Sequence, residues 1–165
     1  MELISAERRG ELVFGHPGEV RKLELRDHYE IDRKLIDAWR TNDREFLERR
    51  RVANDADIEG LKEKGINYRR VRVVSEPLSE YQRMAVEIAN TGEQLRWLPR
   101  PEAATIVLPV NDCLVRDDLV VFNLLGGNNE SVGMQLSTDP EVVKLCVEAF
   151  EQAWSLGRPN GTYAP

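Results

Sequence analysis

Apolar and polar residues alternate from Arg21 to Glu30, with Leu23 and Leu25 on one side and Lys22, Glu24 and Arg26 on the other. That two-residue period predicts a half-buried strand, with His28 inside it. Beyond it, Asp32 can cap a helix in which Leu35, Ile36 and Trp39 recur at spacings of three and four, a stripe suited to docking on a sheet. Residues 43–51 offer only Phe46 and Leu47 among charges and read as either a short exposed helix or an ordered connection. Asp55 to Lys64 reads as another short helix, stopped by Gly65. Asn67 to Ser75 is the most strand-like stretch, Val71 and Val73 alternating against Arg70 and Arg72, and predicts a central or near-central strand. Pro77 fits the first turn of the next helix, whose buried stripe is Tyr81, Met84, Ala85, Ile88 and Ala89 and which stops near Thr91-Gly92.

The pattern shortens in the second half. Gln94 to Leu98 predicts a short strand ended by Pro99-Arg100-Pro101, and Ile106-Val107-Leu108 reads as strand or linker. Three strands follow closely, Asp112 to Arg116, Leu119 to Leu125 and Ser131 to Ser137, joined by Asp117-Asp118 and by Gly126-Gly127-Asn128-Asn129, which predicts an antiparallel meander. Thr138 or Asp139 then caps a last helix with Pro140 at its first position, and Val142, Val143, Cys146, Ala149, Phe150, Ala153 and Trp154 trace one buried face. The expected fold is one α/β (α+β) domain over residues 12–158, a mixed β-sheet with helices packed on it, flanked by short tails at 1–11 and 159–165.

Composition fits that picture. The 165 residues are 41% hydrophobic and 32% charged, which suits a globular chain and excludes collagenous and disordered classes. No apolar run approaches the roughly 18–20 residues of a membrane span, and the charged start lacks the apolar stretch of an export signal, so the expected location is cytoplasmic without membrane contact. Two cysteines, Cys113 and Cys146, lack metal-ligand spacing and read as reduced core thiols. The net charge of −6 lies wholly in residues 101–165, which argues against a chain-wide nucleic-acid footprint. Two local arginine clusters remain, Arg49-Arg50-Arg51 and Arg69-Arg70-x-Arg72.

Candidate chemistry is sparse. His16 and His28 have no HExxH, HxH or GxSxG context, the glycine-rich loop at 126–129 joins strands rather than opening a helix, and Asp117-Asp118 reads as a turn rather than a metal pair. No metal or cofactor is expected. The sharper candidate is Arg70 and Arg72, which share one side of their strand, with Glu76 and Tyr81 close in sequence. Guanidiniums on a covered face need acids or an anion beside them, and Glu24 and Glu76 are the nearest acids, so the cluster is either a salt-bridge network or a pocket for a small anionic ligand closed by Tyr81.

The run from Arg70 to Arg83 with Gly92-Glu93-x-Leu95-Arg96-x-Leu98, and the likeness from Leu23 to Trp154, resemble an uncharacterised family of small actinobacterial proteins often encoded beside helix-turn-helix regulators. The closing part, from the strand around Cys113 through Gly133, Asp139-Pro140-Glu141-Val142-Val143 and Phe150-x-x-x-Trp154, resembles the end of a phospholipase-D-like half domain. The active form of that domain uses HxKxxxxD. Asn111, Cys113 and Asp118 stand at that spacing here, and only the acid is kept, so neither the nucleophile nor the phosphate-neutralising cation is present. The resemblance implies a non-enzymatic regulatory or sensor module that binds a small ligand or a partner protein, such as a helix-turn-helix regulator, or a second copy of itself. Two alternatives stand beside it: an enzyme or toxin-like effector with an unorthodox site at Arg70, Arg72, Glu76 and Tyr81, where Glu76 is the base, and nucleic-acid binding through the arginine clusters.

Overall fold

The computed structural model describes residues 1–90 and 92–165. The sheet is mixed and has eight strands, in the order β1 (Glu2–Leu3), β7 (Ser131–Ser137), β6 (Val120–Leu125), β5 (Cys113–Val115), β2 (Gly18–Glu24), β3 (Ile66–Val74), β4 (Gln94–Pro99) and β8 (Arg158–Pro159). β2, β3 and β4 run parallel, and β5, β6 and β7 form the antiparallel meander. β2 joins the two halves, because it pairs parallel to β3 on one side and antiparallel to β5 on the other. The expected α/β class is observed, and β3 lies inside the sheet near its centre, paired on both sides by β2 and β4.

One face of the sheet is covered by α5 (Pro140–Leu156). Asp139 caps it by accepting from the Glu141 amide at 2.9 Å, and Pro140 occupies its first turn. Val143, Cys146, Ala149, Phe150 and Ala153 pack on Leu23, Val71, Val73, Leu98 and Val115 to make the main core. Both cysteines lie in this core as free thiols. Arg69 leaves β3 on the same side, where it pairs with Glu151 at 2.7 Å and lies 5.2 Å from both the Phe150 and the Trp154 ring.

The opposite face carries two smaller apolar clusters. At one end α1 (Ala6–Phe14) places Val13 against Val20, Ile66, Leu114 and Val121. At the other, α2 (Arg33–Arg40) and α4 (Glu80–Glu87) pack Leu35, Ile36, Tyr81, Met84 and Ala85 over Val74, Leu95 and Trp97. The side chains of β2 and β3 between these clusters are Lys22, Glu24, Arg70 and Arg72, so a charged strip separates two cores.

Several boundaries differ from expectation for identifiable reasons. β2 ends at Glu24, because the Leu25 amide donates to Asp112 Oδ1 at 2.8 Å and the chain turns out of the sheet, leaving His28 in a loop. Residues 44–63 form one helix, α3 (Arg44–Glu63), where two short elements were expected. Asp43 caps it, and pairs such as Arg51 with Glu48 and Asp55 tie successive turns of its exposed surface. Gly65 follows with a φ of 72°, the left-handed conformation expected of a helix stop. Pro77 lies in the turn before α4, and Ser79 is the cap, accepting from the Gln82 amide at 3.1 Å. The helix ends at Glu87; the expected stop at Thr91 falls outside the described residues. Residues 106–108 are linker rather than strand. The segments expected as tails join the sheet, since β1 pairs with β7, β8 pairs with β4, and buried Tyr163 stacks on Trp97.

Candidate functional site

The charged strip opens into a cleft of about 540 Å³ that crosses the sheet from Met134 on β7 to Leu95 on β4. Five strand steps of about 4.8 Å make this a span of roughly 24 Å. α1, α2, α3 and α4 form its rim through Arg9, Leu35, Arg50 and Met84. Five basic and four acidic side chains line it, a density of charge that an interior tolerates only when the groups meet partners.

The floor is set by register. Glu24 and Arg72 are directly opposed on the parallel strands β2 and β3, which brings Arg72 Nε to 2.8 Å from Glu24 Oε2. Lys22 Nζ is 2.8 Å from Glu24 Oε1, Arg70 Nη1 is 3.7 Å from Glu24 Oε2, and Arg70 Nη2 donates to Glu93 at 2.6 Å. Burial alone would raise the Glu24 carboxyl, but Arg72, Lys22 and Arg70 together hold it well below its ordinary range. Burial would likewise lower Arg72, and Glu24 reverses this. Three cations thus face two carboxylates. Arg72 is only 8% exposed, and its contact with Glu24 lies off the line of a hydrogen bond. Among the described residues, Arg72 Nη1 and Arg70 Nε have no hydrogen-bond partner.

The wall toward α2 and α4 is aromatic. Tyr29 and Tyr81 meet edge to face at 5.6 Å, and the Arg72 guanidinium lies 5.8 Å from the Tyr81 ring and 5.7 Å from that of Trp97. Tyr81 donates to Asp32 and Tyr29 to Asp112, each at 2.6 Å. Burial pushes both phenols above their ordinary value, and it raises the Asp112 carboxyl although the Tyr29 hydroxyl opposes this.

Of the candidate set, Arg70, Arg72 and Tyr81 come together in the cleft, and Glu76 does not. Its carboxylate accepts from Tyr163 at 2.7 Å, tying the C-terminal segment to the turn before α4, so its expected place is taken by Glu24 and Glu93. The Asn111, Cys113 and Asp118 positions do not converge either. Cys113 points into the core beneath α5, while Asp118 is exposed on the turn between β5 and β6. The neighbouring Asp112 does reach the cleft. Lys22, Tyr29, Asp32, Asn90 and Glu93 also line the cleft, a placement the sequence pattern does not predict. Only the parity of Lys22 and Glu24 along their strand signalled that both share one side.

Residues 8–165 match the family described as Domain of unknown function (DUF6879). The chain belongs to that family. No curated protein and no solved structure matches it. Nearly all of the cleft lies within the matched DUF6879 region, Ala6 on its rim excepted. The arginine run 49–51 of this DUF6879 chain forms no unbroken cationic face: Arg49 pairs with Glu45 and Arg51 with Glu48, while Arg50 lines the cleft. No described helix is long and apolar enough to cross a membrane.

Proposed function

We propose that the protein is a non-enzymatic cytoplasmic binding module whose cleft holds a small anionic ligand, with Arg70 and Arg72 as the anion-holding groups and Tyr81 as part of the wall. The observation that carries this reading is the under-partnered guanidinium pair: donors on Arg70 and Arg72 are buried at the floor of a cleft where cations outnumber the acids touching them. An unpaired buried donor costs about 1–3 kcal/mol, and an oxyanion between the two arginines would remove that cost through charge-assisted bonds. The volume suits a small molecule, since ligand sites are commonly about 300–1,000 Å³. Binding without turnover is favoured because Glu24 is held ionised by three cations, which makes it a poor proton acceptor, and because both tyrosines are held protonated by burial. The buried free cysteines suit a reducing compartment.

Titration of the full chain with inorganic phosphate, pyrophosphate and citrate, read by calorimetry and by thermal shift, tests the reading. At least one anion is expected to bind and raise the melting temperature of the native protein, and Arg72→Met is expected to abolish the response while remaining folded. If no anion binds, or if Arg72→Met binds as tightly as the native chain, the reading is wrong. Should Arg72→Met fail to fold, Arg70→Gln is the second variant.

A further inference from the structure

The cleft has a second recognition element that an anion alone would not use. Asn90 lies between the end of α4 and the start of β4. Its backbone carbonyl accepts from Asn160 Nδ2 at 3.0 Å and from the Glu93 amide at 3.3 Å, which fixes its position. The residue is 6% exposed and lines the cleft. Among the described residues, neither Nδ2 nor Oδ1 of its side chain has a hydrogen-bond partner. A buried amide with both functions unmet is unusual, and each costs free energy until something meets it.

The chemistry of that amide is specific. Its donor and acceptor lie side by side in one plane, the pattern that pairs bidentately with a donor and acceptor on the edge of a planar heterocycle. The cleft provides a surface for such a ring beside it, because Met84, Ala85, Ile88, Ala89 and Leu95 form an apolar wall at the β4 end. The cations lie further along the same cleft, Arg70 and Arg72 on β3 and Lys22 on β2, within two strand steps or about 10 Å of Leu95 on β4. Arg50 extends the positive charge to the rim and makes no ion pair among the described residues. One small molecule that fits both ends carries an anionic group and a flat, hydrogen-bonding ring.

We propose that the ligand is a nucleotide, with its phosphate on the Arg70–Arg72 floor and its base on the apolar wall, read at one edge by the Asn90 side chain. This rests on the anion reading above and adds the class of ligand. The amide is compatible with any base that offers an adjacent donor and acceptor, so selectivity among bases is modest while selectivity for a base over none is strong.

Calorimetric titration of the full chain with ribose 5-phosphate, adenosine monophosphate and guanosine monophosphate separates the two claims. The nucleotides are expected to bind about tenfold or more tightly than ribose 5-phosphate, the discrimination of one good bidentate contact. Asn90→Asp replaces the donor by a second acceptor, which only the two-donor edge of guanine satisfies. That variant is expected to lose about tenfold for adenosine monophosphate relative to guanosine monophosphate, with ribose 5-phosphate unchanged. Equal binding of ribose 5-phosphate and both nucleotides by the native chain overturns base recognition and leaves the anion reading standing. Binding of none of the three, with inorganic phosphate and pyrophosphate also silent, overturns both. If Asn90→Asp does not fold, the ratio measured on the native chain decides alone.

Discussion

Glu24 and Arg72 are registered directly across from one another on adjacent parallel strands, and the carboxylate of the first is 2.8 Å from the guanidinium of the second. Both are buried between two apolar clusters that do not include them. Such a pair adds little net stability over apolar residues, yet removing one member strands the other in a poor solvent.

Glu24→Gln is therefore expected to destabilise the protein by about 3–5 kcal/mol at neutral pH, because among the described residues Arg70 keeps Glu93 as an ion-pair partner while Lys22 and Arg72 keep none. The effect has a defined pH dependence. The folded-state value of Glu24 is lowered from the ordinary 4.5, so its stabilising charge is fully present above that value and is lost as pH falls through the lower one. The difference in urea midpoint between native protein and Glu24→Gln should shrink from pH 7 to pH 3. A difference that stays constant would show that Glu24 titrates normally.

Tyr29→Phe should show the same direction of pH dependence for a different reason. Asp112 is raised by burial, and the Tyr29 hydroxyl restrains the rise together with the Leu25 amide and the Arg26 charge. Its removal leaves Asp112 Oδ2 without that donor, at a cost of about 1–3 kcal/mol when the carboxyl is ionised. Because a raised carboxyl contributes more favourably as it protonates, the deficit of the variant should be largest at neutral pH and shrink as pH falls through the raised Asp112 value, read by chemical denaturation.

Phe150 is fully buried under the sheet, whereas Trp154, one turn on, is half-buried and held by its stack on Phe150 and by the Arg96 guanidinium at 4.5 Å. Phe150→Ala should cost about 3–5 kcal/mol, and Trp154→Ala less, in contrast with an equal role for both in the helix stripe. Thermal melts of the two variants order them.

Asn160 ties the last strand to the interior. It accepts from Trp97 Nε1 at 3.2 Å and donates to the Asn90 carbonyl at 3.0 Å. Asn160→Ala leaves the indole of a fully buried tryptophan without this partner, with an expected loss of about 1–3 kcal/mol and a change in tryptophan fluorescence of the folded state.

The sheet and its last helix were legible because their signals are local. Pro140 after Asp139, the stripe from Val143 to Ala153, and the turn residues between β5, β6 and β7 each act within a few positions. The strand parity of Val71 and Val73 also placed Arg70 and Arg72 together on the other side. What stayed hidden depends on register across distant segments. Nothing near Arg70 marks Glu93 as its partner, and Glu76 was favoured because it is close in sequence, although its strand-to-helix turn points it to Tyr163. The sequence pattern breaks α3 in two because the helix has no fully buried residue, so its length rests on capping and ion pairs rather than on an apolar stripe.

The chain leaves β2 at Glu24 and returns to pair with it only at Ile66, whereas β5, β6 and β7 follow one another through tight turns. Contacts of short sequence separation form with little loss of chain entropy, and distant parallel pairings wait for a long segment to close. In the kinetics of folding this divides the sheet at β2. Conservative substitutions within β6 and β7 should slow refolding, while Arg70→Gln on β3 should chiefly hasten unfolding, a contrast that stopped-flow φ-values measure. The floor of the cleft at Arg70 and Arg72 is then the part of the molecule completed last and the first to open, so a molecule bound there would be felt mainly as a longer lifetime of the folded state.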